Sequence, residues 1–197
     1  MTWELKILLL VITYLLGSIP FGYLLIKFST GENILKFGSG NIGSTNVRRI
    51  AGKKMSIVTQ LLDMLKGLIP VALFLTFSTS SANPNYIFML ALAAIIGHDF
   101  SLFLKFKGGK GVNTTLGVFV LIAPYSVFIS VAVYFIVKGC FKYVSLGSIA
   151  IAISMPIVEL IWHGITPTFY YLVLSSVLII LRHQKNIIRL LNGTESL

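Results

Sequence analysis

The sequence predicts an all-α integral membrane protein with seven transmembrane helices, some of them short or broken. Three observations lead to this fold class: the apolar composition, the long apolar runs, and the concentration of basic residues in the connections between those runs. Hydrophobic residues make up 56% of the 197 and charged residues 11%, and the mean hydropathy is +0.90. A soluble domain carries more charge than this, so we expect residues 1–197 to form a single polytopic membrane domain.

The apolar runs set the order of the predicted helices. They fall near 6–28, 55–78, 86–104, 112–138, 143–162 and 168–182, and several reach the roughly 20 residues that cross a hydrocarbon core about 30 Å thick. The first run is too long for a signal-peptide core of about 7–15 residues, and it contains Gly17, Pro20 and Gly22 in place of a cleavage pattern. We therefore expect it to be retained as a helix.

The charges of the connections predict the orientation, because Lys and Arg concentrate on cytoplasmic loops. The connections near 29–54 and 105–111 are basic, whereas 79–85 and 162–168 contain neither Lys nor Arg. The N-terminus is thus predicted outside and the C-terminus in the cytoplasm, where both basic connections and the tail 182–189 would meet. Orientation also explains the net charge of +10, so we expect no nucleic-acid partner.

Pro124 predicts an additional crossing. A single crossing by residues 112–138 would leave Lys138, Lys142 and the basic tail on the wrong sides of the membrane. Pro breaks helices, and here it divides the run into two pieces of about a dozen residues, each covering only about 18–20 Å. Two short helices that turn at Pro124 and return would give every later basic residue a cytoplasmic position, and they bring the count to seven.

The segment from Gly38 to Arg49 is unusually polar for such a chain. Its glycines allow backbone N–H groups to converge on an anion, its hydroxyl and amide side chains add donors, and Arg49 can bind phosphate with two prongs. The residues that share these properties are Gly38, Ser39, Gly40, Asn41, Gly43, Thr45, Asn46 and Arg49. Taken alone, the segment fits a phosphate site and a flexible, solvated basic loop equally well.

A second polar segment, from Lys105 to Thr115, contains Gly108-Gly109-Lys110-Gly111. It lacks the spacing and the preceding strand of a nucleotide-binding unit, so we exclude a Walker motif. We expect it to open a helix near Val112, whose free N–H groups and dipole favour an anion while Lys110 supplies a full charge. The alternative is a hairpin that is basic only because of its orientation, which is the explanation we favour for Lys105 and Lys107.

The remaining ionisable residues are expected to support the site or to bind anions. Asp63 and Lys66 can pair on one face of the second span, where unpaired charge is costly, and we expect this pair to support the site. Adjacent residues point about 100° apart on a helix, so His98 and Asp99 are not expected to act together as a base and its orienting partner. His98 is predicted to pack behind the site. His183 fits an anion site and a merely basic tail equally. No grouping has metal-ligand spacing, so no metal and no cofactor are expected.

With these motifs in place, the chain resembles the bacterial acyl-phosphate:glycerol-3-phosphate acyltransferases of the PlsY type. The resemblance runs almost end to end. Its motifs are Gly17–Tyr23, Gly38–Arg49, Asp63-x-x-Lys66-Gly67, Gly97–Thr114, Tyr143–Leu146 and the tail from Arg182 to Leu190. The departures are Ser44, Ser101 and Asn113, where the family usually has alanine, proline and alanine.

The resemblance implies a multi-pass enzyme of the bacterial inner membrane with its active site facing the cytoplasm. It would transfer a fatty acyl group from acyl phosphate, not acyl-CoA, to the 1-hydroxyl of glycerol 3-phosphate, giving lysophosphatidic acid and inorganic phosphate, with membrane lipid around it and no obligatory protein partner. The functional positions implied are Ser39, Arg49, Lys110, His183 and Asn186. The residues implied or expected to line the substrate site are Gly38, Gly40, Asn41, Gly43, Thr45, Asn46, Gly108, Gly109, Gly111 and Thr114.

Two other functions are compatible with the residues. A small transporter or anion channel also places broken helices and cations around a polar path, and a noncatalytic scaffold could hold anionic headgroups on a basic face. A permeation path needs polar groups throughout the bilayer, whereas the outer half of this chain is nearly bare of them, and this favours an enzyme. Acyl phosphate is already activated, so no protein nucleophile is needed, and the hydroxyl proton passes to a substrate phosphate or to His183.

Overall fold

The part of the chain that the structure describes, residues 2–78 and 85–195, is helical throughout its regular elements in this computed structural model. Its α-helices are α1 (Trp3–Ser18), α2 (Phe21–Thr30), α3 (Ser44–Phe77), α4 (Tyr86–Asp99), α5 (Val112–Phe119), α6 (Pro124–Phe141), α7 (Val144–His163), α8 (Pro167–Arg182) and α9 (Gln184–Leu191). Two 3-10 helices, Ile34–Lys36 and Leu102–Leu104, lie in the connections. No strand occurs in residues 2–78 and 85–195, which confirms the predicted all-α class.

Within residues 2–78 and 85–195, four helical stretches are long and apolar enough to cross a membrane. They are Ser44–Phe77, Tyr86–Leu104, Pro124–Phe141 and Val144–His163. A fifth is obtained if α1 and α2, which are bent by 40° at their junction, form one broken span. The predicted count of seven and the predicted orientation stay predictions, and the outer connection 79–84 lies outside the described residues.

The first apolar run is broken, where the sequence led us to expect one helix. Pro20 lies between α1 and α2 as the N-cap of the second, and it has no backbone N–H to continue the first. The carbonyl oxygen of Ile19 at this break accepts a hydrogen bond of 2.8 Å from Lys66 Nζ. A buried side chain from α3 therefore bonds the backbone at this break, where the same carbonyl also accepts the N–H of Phe21 at 3.1 Å.

The run 112–138 is also divided, and here the division was predicted. α5 ends at Phe119 and α6 begins at Pro124, so the break at the proline is confirmed. The predicted lengths were wrong: α5 has 8 residues and α6 has 18. At about 1.5 Å per residue, α5 covers about 12 Å and α6 about 27 Å, because α6 continues through Lys138 to Phe141.

The chain forms two compact units, one ending at Val118 and the other beginning at Phe119. In the first unit α1 packs closely against α4, since a Cβ atom at Gly17 would overlap the carbonyl oxygen of Ala94, and one at Gly97 would overlap that of Tyr14. The Oγ of Ser101, which replaces the usual proline, donates a 2.5 Å hydrogen bond to the carbonyl of Ser18. These contacts fix the end of α4, from which the second polar segment leaves.

In the second unit α7 packs against α6 and α8. Glu159 of α7 is buried. Its carboxylate accepts a 2.6 Å hydrogen bond from Ser126 Oγ of α6 and lies 3.2 Å from His163 Nδ1. A buried carboxylate is costly unless it is bonded, so we assign Glu159 to the packing of this unit.

We predict that the break before Pro124 separates two segments whose far ends lie on one side of the membrane. In a variant lacking the exposed Cys140, single cysteines at the exposed positions 107 and 142 should both react with an impermeant thiol reagent applied from the cytoplasm. A cysteine at the exposed Ile165 is the control and should react from the periplasm. Labelling of positions 107 and 142 from opposite sides would refute the predicted turn.

Candidate active site

Asn46 organises the first polar segment. Its Nδ2 donates to the carbonyl oxygens of Phe37 at 3.0 Å and Asn41 at 2.9 Å, with Ile34 at 3.4 Å. Its Oδ1 accepts a 3.1 Å hydrogen bond from the backbone N–H of Ser39, and the side chain is buried. The sequence predicted that Asn46 lines the site, whereas its amide is committed to the segment's own backbone. We therefore infer that it acts on a substrate only through the shape of the segment.

The glycines of this segment differ in conformation. Gly38 and Gly40 have φ of 56° and 66°, in the left-handed region that favours glycine, and a Cβ atom at Gly38 would overlap Asn46 Oδ1. Gly43 has φ of −72°, which any residue can adopt, so the predicted need for glycine freedom was wrong there. Gly43 instead caps α3, and its N–H donates 2.8 Å to Asn41 Oδ1.

The second half of the segment is helical, not a flexible loop. α3 begins at Ser44, so Thr45, Asn46 and Arg49 lie on its first turns, before a kink at Gly52 where φ is 80°. The side chain of Arg49 is exposed and that of Asn46 is buried. A helical backbone thus turns the cation outward while the amide points back into the segment, so this half of the segment is not the flexible loop of the alternative interpretation.

The second polar segment lies directly against the end of α4. The N–H of Gly109 donates a 2.9 Å hydrogen bond to the carbonyl of His98, and a Cβ atom at Gly109 would overlap the His98 ring. At Gly108 a Cβ atom would overlap the carbonyl oxygens of His98 and Asp99. At Gly111, where φ is 74°, it would lie 3.1 Å from Asp99 Oδ1. These glycines are required for close approach, and Lys110 is presented between them.

Both polar segments belong to the first unit and share packing. A buried cluster of Ile26, Ile34, Ile42 and Val47 supports the first segment, and Leu104, just before the second segment, packs against it. α5 begins at Val112 as predicted. Its Thr114 is buried, so this residue, predicted to line the site, faces the packing of α5.

An ion pair lies behind the second segment. The carboxylate of Asp63 is 2.9 Å from Lys66 Nζ, and both side chains are almost fully buried. Asp63 Oδ1 is also 3.6 Å from His98 Nδ1. The predicted pairing of Asp63 with Lys66 is therefore present, and it extends to the histidine against which the glycine loop packs.

The tail residues lie in the second unit. His183, at the junction of α8 and α9, is buried, and its Nδ1 is 2.8 Å from the carbonyl oxygen of Ile179. A carbonyl can only accept, so Nδ1 carries a proton and Nε2 of the neutral ring carries the lone pair. His183 is thus able to accept a proton through Nε2. The predicted meeting of the tail with the two polar segments stays a prediction.

Glu195 was missed as a partner of the tail. Its carboxylate accepts 2.6 Å hydrogen bonds from Asn186 Nδ2 and Arg189 Nε. Burial raises the pKa of this carboxyl, but the bonds from Arg189 and Asn186 outweigh that effect and hold the pKa below its ordinary value. Its stabilising contribution is therefore present above the ordinary pKa and is lost as the pH falls through the lowered one. In the sequence, the indication of this partner was a single acidic residue, Glu195, that follows the cations of the tail.

Comparisons with known proteins identify the family. A family model described as glycerol-3-phosphate acyltransferase matches residues 7–193. The glycerol-3-phosphate acyltransferases of Clostridium acetobutylicum and Trichlorobacter lovleyi are 44% and 45% identical over 193 and 183 residues, covering 96% and 93% of this chain and 98% and 92% of those proteins. The chain belongs to the glycerol-3-phosphate acyltransferase family. It is therefore an enzyme, and the resemblance read from its motifs is confirmed.

Solved structures agree with this assignment. The crystal structure of PlsY, an integral membrane glycerol 3-phosphate acyltransferase, in its glycerol 3-phosphate form matches this acyltransferase with a TM-score of 0.89 at 37% identity, covering 97% of this chain and 94% of that one. Its lysophosphatidic acid form gives a TM-score of 0.86 at 36% identity. The likeness supports a multi-pass membrane protein. Within residues 2–78 and 85–195, no group of three or more His, Cys, Asp or Glu side chains could hold a metal ion.

We predict that Asn46→Ala destabilises this acyltransferase. The substitution removes the hydrogen-bond partner of partly buried backbone groups of Phe37, Ser39 and Asn41, at about 0.5–1.5 kcal/mol each. With about 2–4 °C of melting temperature per kcal/mol for a chain of this size, thermal unfolding in detergent should occur several degrees lower. Asn192→Ala, at an exposed position, is the control and should melt like the parent. Equal melting temperatures for both variants would show that Asn46 does not hold the segment.

Proposed function

We propose that this acyltransferase moves a fatty acyl group from acyl phosphate to the 1-hydroxyl of glycerol 3-phosphate, at the cytoplasmic face of the bacterial inner membrane. The products would be lysophosphatidic acid and inorganic phosphate. Membership of the glycerol-3-phosphate acyltransferase family supports the acceptor. The motif resemblance to acyl-phosphate-dependent enzymes supports the donor.

One observation carries the proposal: two glycine-shaped segments of the same unit each present a cation. Arg49 stands on the first turns of α3, and Lys110 stands between glycines that fit closely on α4. Both substrates bring phosphate, and cations with converging N–H groups are what phosphate binding requires. The same groups can stabilise the negative charge that develops on the carbonyl oxygen and on the leaving phosphate.

The reaction needs no covalent intermediate on the protein. The 1-hydroxyl oxygen of glycerol 3-phosphate attacks the acyl carbonyl carbon, and a new carbon–oxygen bond forms. The bond from the acyl carbon to the phosphate oxygen then breaks, and phosphate leaves with the electron pair. Holding the two substrates together supplies much of the rate acceleration, because positioning replaces the entropy cost of an encounter.

The proton of the attacked hydroxyl passes to a base. A phosphate oxygen of the substrate can accept it, and so can His183, whose Nε2 carries the lone pair while Nδ1 donates to Ile179. The proposed functional residues are Ser39, Arg49, Lys110, His183 and Asn186, with the glycines of both segments around the phosphates. Ser39 is exposed at the turn that Asn46 supports, where its hydroxyl is available to a substrate.

We predict that Lys110→Ala and Arg49→Ala each lower turnover by roughly 10²-fold or more, the effect of losing one preorganised donor to developing charge. The control is Lys107→Ala, three residues before Lys110 and exposed, which should change turnover far less. Turnover is measured on purified, monodisperse protein in detergent. Near wild-type rates for Lys110→Ala or Arg49→Ala would remove that residue from the site.

The donor distinguishes this proposal from its rivals. Purified protein in detergent, with no lipid barrier, should convert acyl phosphate and glycerol 3-phosphate to lysophosphatidic acid and phosphate in equal amounts. Acyl-CoA should fail as a donor, and orthophosphate should inhibit, less so in the Lys110→Ala variant. Transfer from acyl-CoA, or no transfer from acyl phosphate by folded protein, would contradict the proposal. A transporter or lipid scaffold would give no product.

A further inference from the structure

The buried histidine at the end of α4 is not explained by the proposed reaction itself. His98 and Asp99 are almost fully buried within the first unit, and neither lies among the proposed functional residues. Burying titratable groups is costly unless they are paired or hydrogen-bonded. Their neighbours are the ion pair of α3 on one side and the glycine loop on the other.

We propose that His98, oriented by Asp63, is a positioning residue that sets where Lys110 lies; the proposal rests on the function given above. The His98 ring occupies the space where Gly109 would carry a side chain, and its carbonyl accepts the Gly109 N–H at 2.9 Å. Lys110 follows Gly109 directly. Any displacement of the ring therefore displaces the backbone from which the lysine extends.

The Nδ1 side of the ring faces α3. His98 Nδ1 lies 3.6 Å from Asp63 Oδ1, and the same carboxylate is held by Lys66 at 2.9 Å. Lys66 is anchored in turn by the carbonyl of Ile19 at 2.8 Å. The chain of contacts thus runs from the break between α1 and α2, through α3, to the loop that presents Lys110.

The other end of the loop, at Gly111, is held by α3 and by Asp99 of α4. The carboxylate of Asp99 faces Gly111, where a Cβ atom would be 3.1 Å away. α5, which follows the loop, packs against α3 at Gly67, since a Cβ atom there would lie 2.5 Å from the carbonyl oxygen of Thr114. The stretch from Asp63 to Gly67 therefore fixes both ends of a loop only four residues long.

The test is a double-mutant cycle between His98→Gln and Lys110→Ala. Misplacement of a charge-stabilising group by about 1 Å can cost up to roughly 10²-fold, so His98→Gln should lower kcat by about 10-fold or more while KM for each substrate changes by less than about 3-fold. In the Lys110→Ala background, the same substitution should have almost no further effect, because residues that act through one another are not additive. His163→Gln, on the second unit, is the matched control and should leave kcat unchanged.

Gly109→Ala gives a second route that removes no buried group. The added methyl would overlap the His98 ring and push the loop aside, so kcat should fall, again with almost no further loss in the Lys110→Ala background. Gly139→Ala, at a helical position with open space around it, is its control. If His98→Gln does not yield monodisperse protein, the Gly109→Ala cycle decides the proposal.

The outcomes separate this inference from the function on which it rests. Two results would overturn the positioning role while acyl transfer by the wild type stands. One is an unchanged kcat for His98→Gln, and the other is an additive cycle, in which kcat falls by the same factor with and without the Lys110 side chain. A wild-type protein that forms no lysophosphatidic acid from acyl phosphate would instead overturn the proposed function. Non-additive losses with an intact wild type support both.

Discussion

The close packing of the 108–111 loop on the end of α4 is the constraint on which the rest of the site depends. Side chains at Gly108 and Gly109 would overlap backbone or ring atoms of His98 and Asp99, so this stretch of chain lies against α4 with its backbone alone. A loop held in this way presents one lysine in a fixed position, and preorganised donors are worth most where water is scarce. The buried pair of Asp63 and Lys66 lies behind the surface on which the loop rests.

The charges of the chain divide between two tasks. Arg49 is exposed and Lys110 half-buried, and these are the cations that we propose for phosphate, whereas Lys66 is enclosed and neutralised by Asp63. A buried ion pair is a weak source of stability because both charges lose water. Its value here is geometric, since its hydrogen bond to the carbonyl of Ile19 and its contact with His98 join three elements of the first unit.

Much of the fold could be predicted from the sequence because apolar runs and prolines act locally. The break before Pro124, the start of α5 at Val112 and the Asp63–Lys66 pair all follow from spacing along one helix or one run. Contacts between distant residues could not be predicted in this way. Asn46 has a side chain typical of substrate binding, yet in the folded chain its amide donates to the carbonyl oxygens of Phe37 and Asn41. Likewise, the positions of His98 and Gly109 in the sequence gave no reason to expect that they are in contact. Glu195 can be recognised as a partner of Asn186 and Arg189 only in the folded chain, where the tail folds back on α9.

The central claim is that the acyl group passes directly between two phosphate-bearing substrates, with the protein supplying position and charge. A single-turnover experiment tests it most directly: purified protein in excess is mixed with acyl phosphate labelled in the acyl chain, without glycerol 3-phosphate, and phosphate release is followed before the acceptor is added. Direct transfer predicts no burst of phosphate and no labelled protein until glycerol 3-phosphate arrives, after which lysophosphatidic acid and phosphate appear together. A burst of phosphate with label retained on the protein would show an acyl-enzyme intermediate and contradict the account.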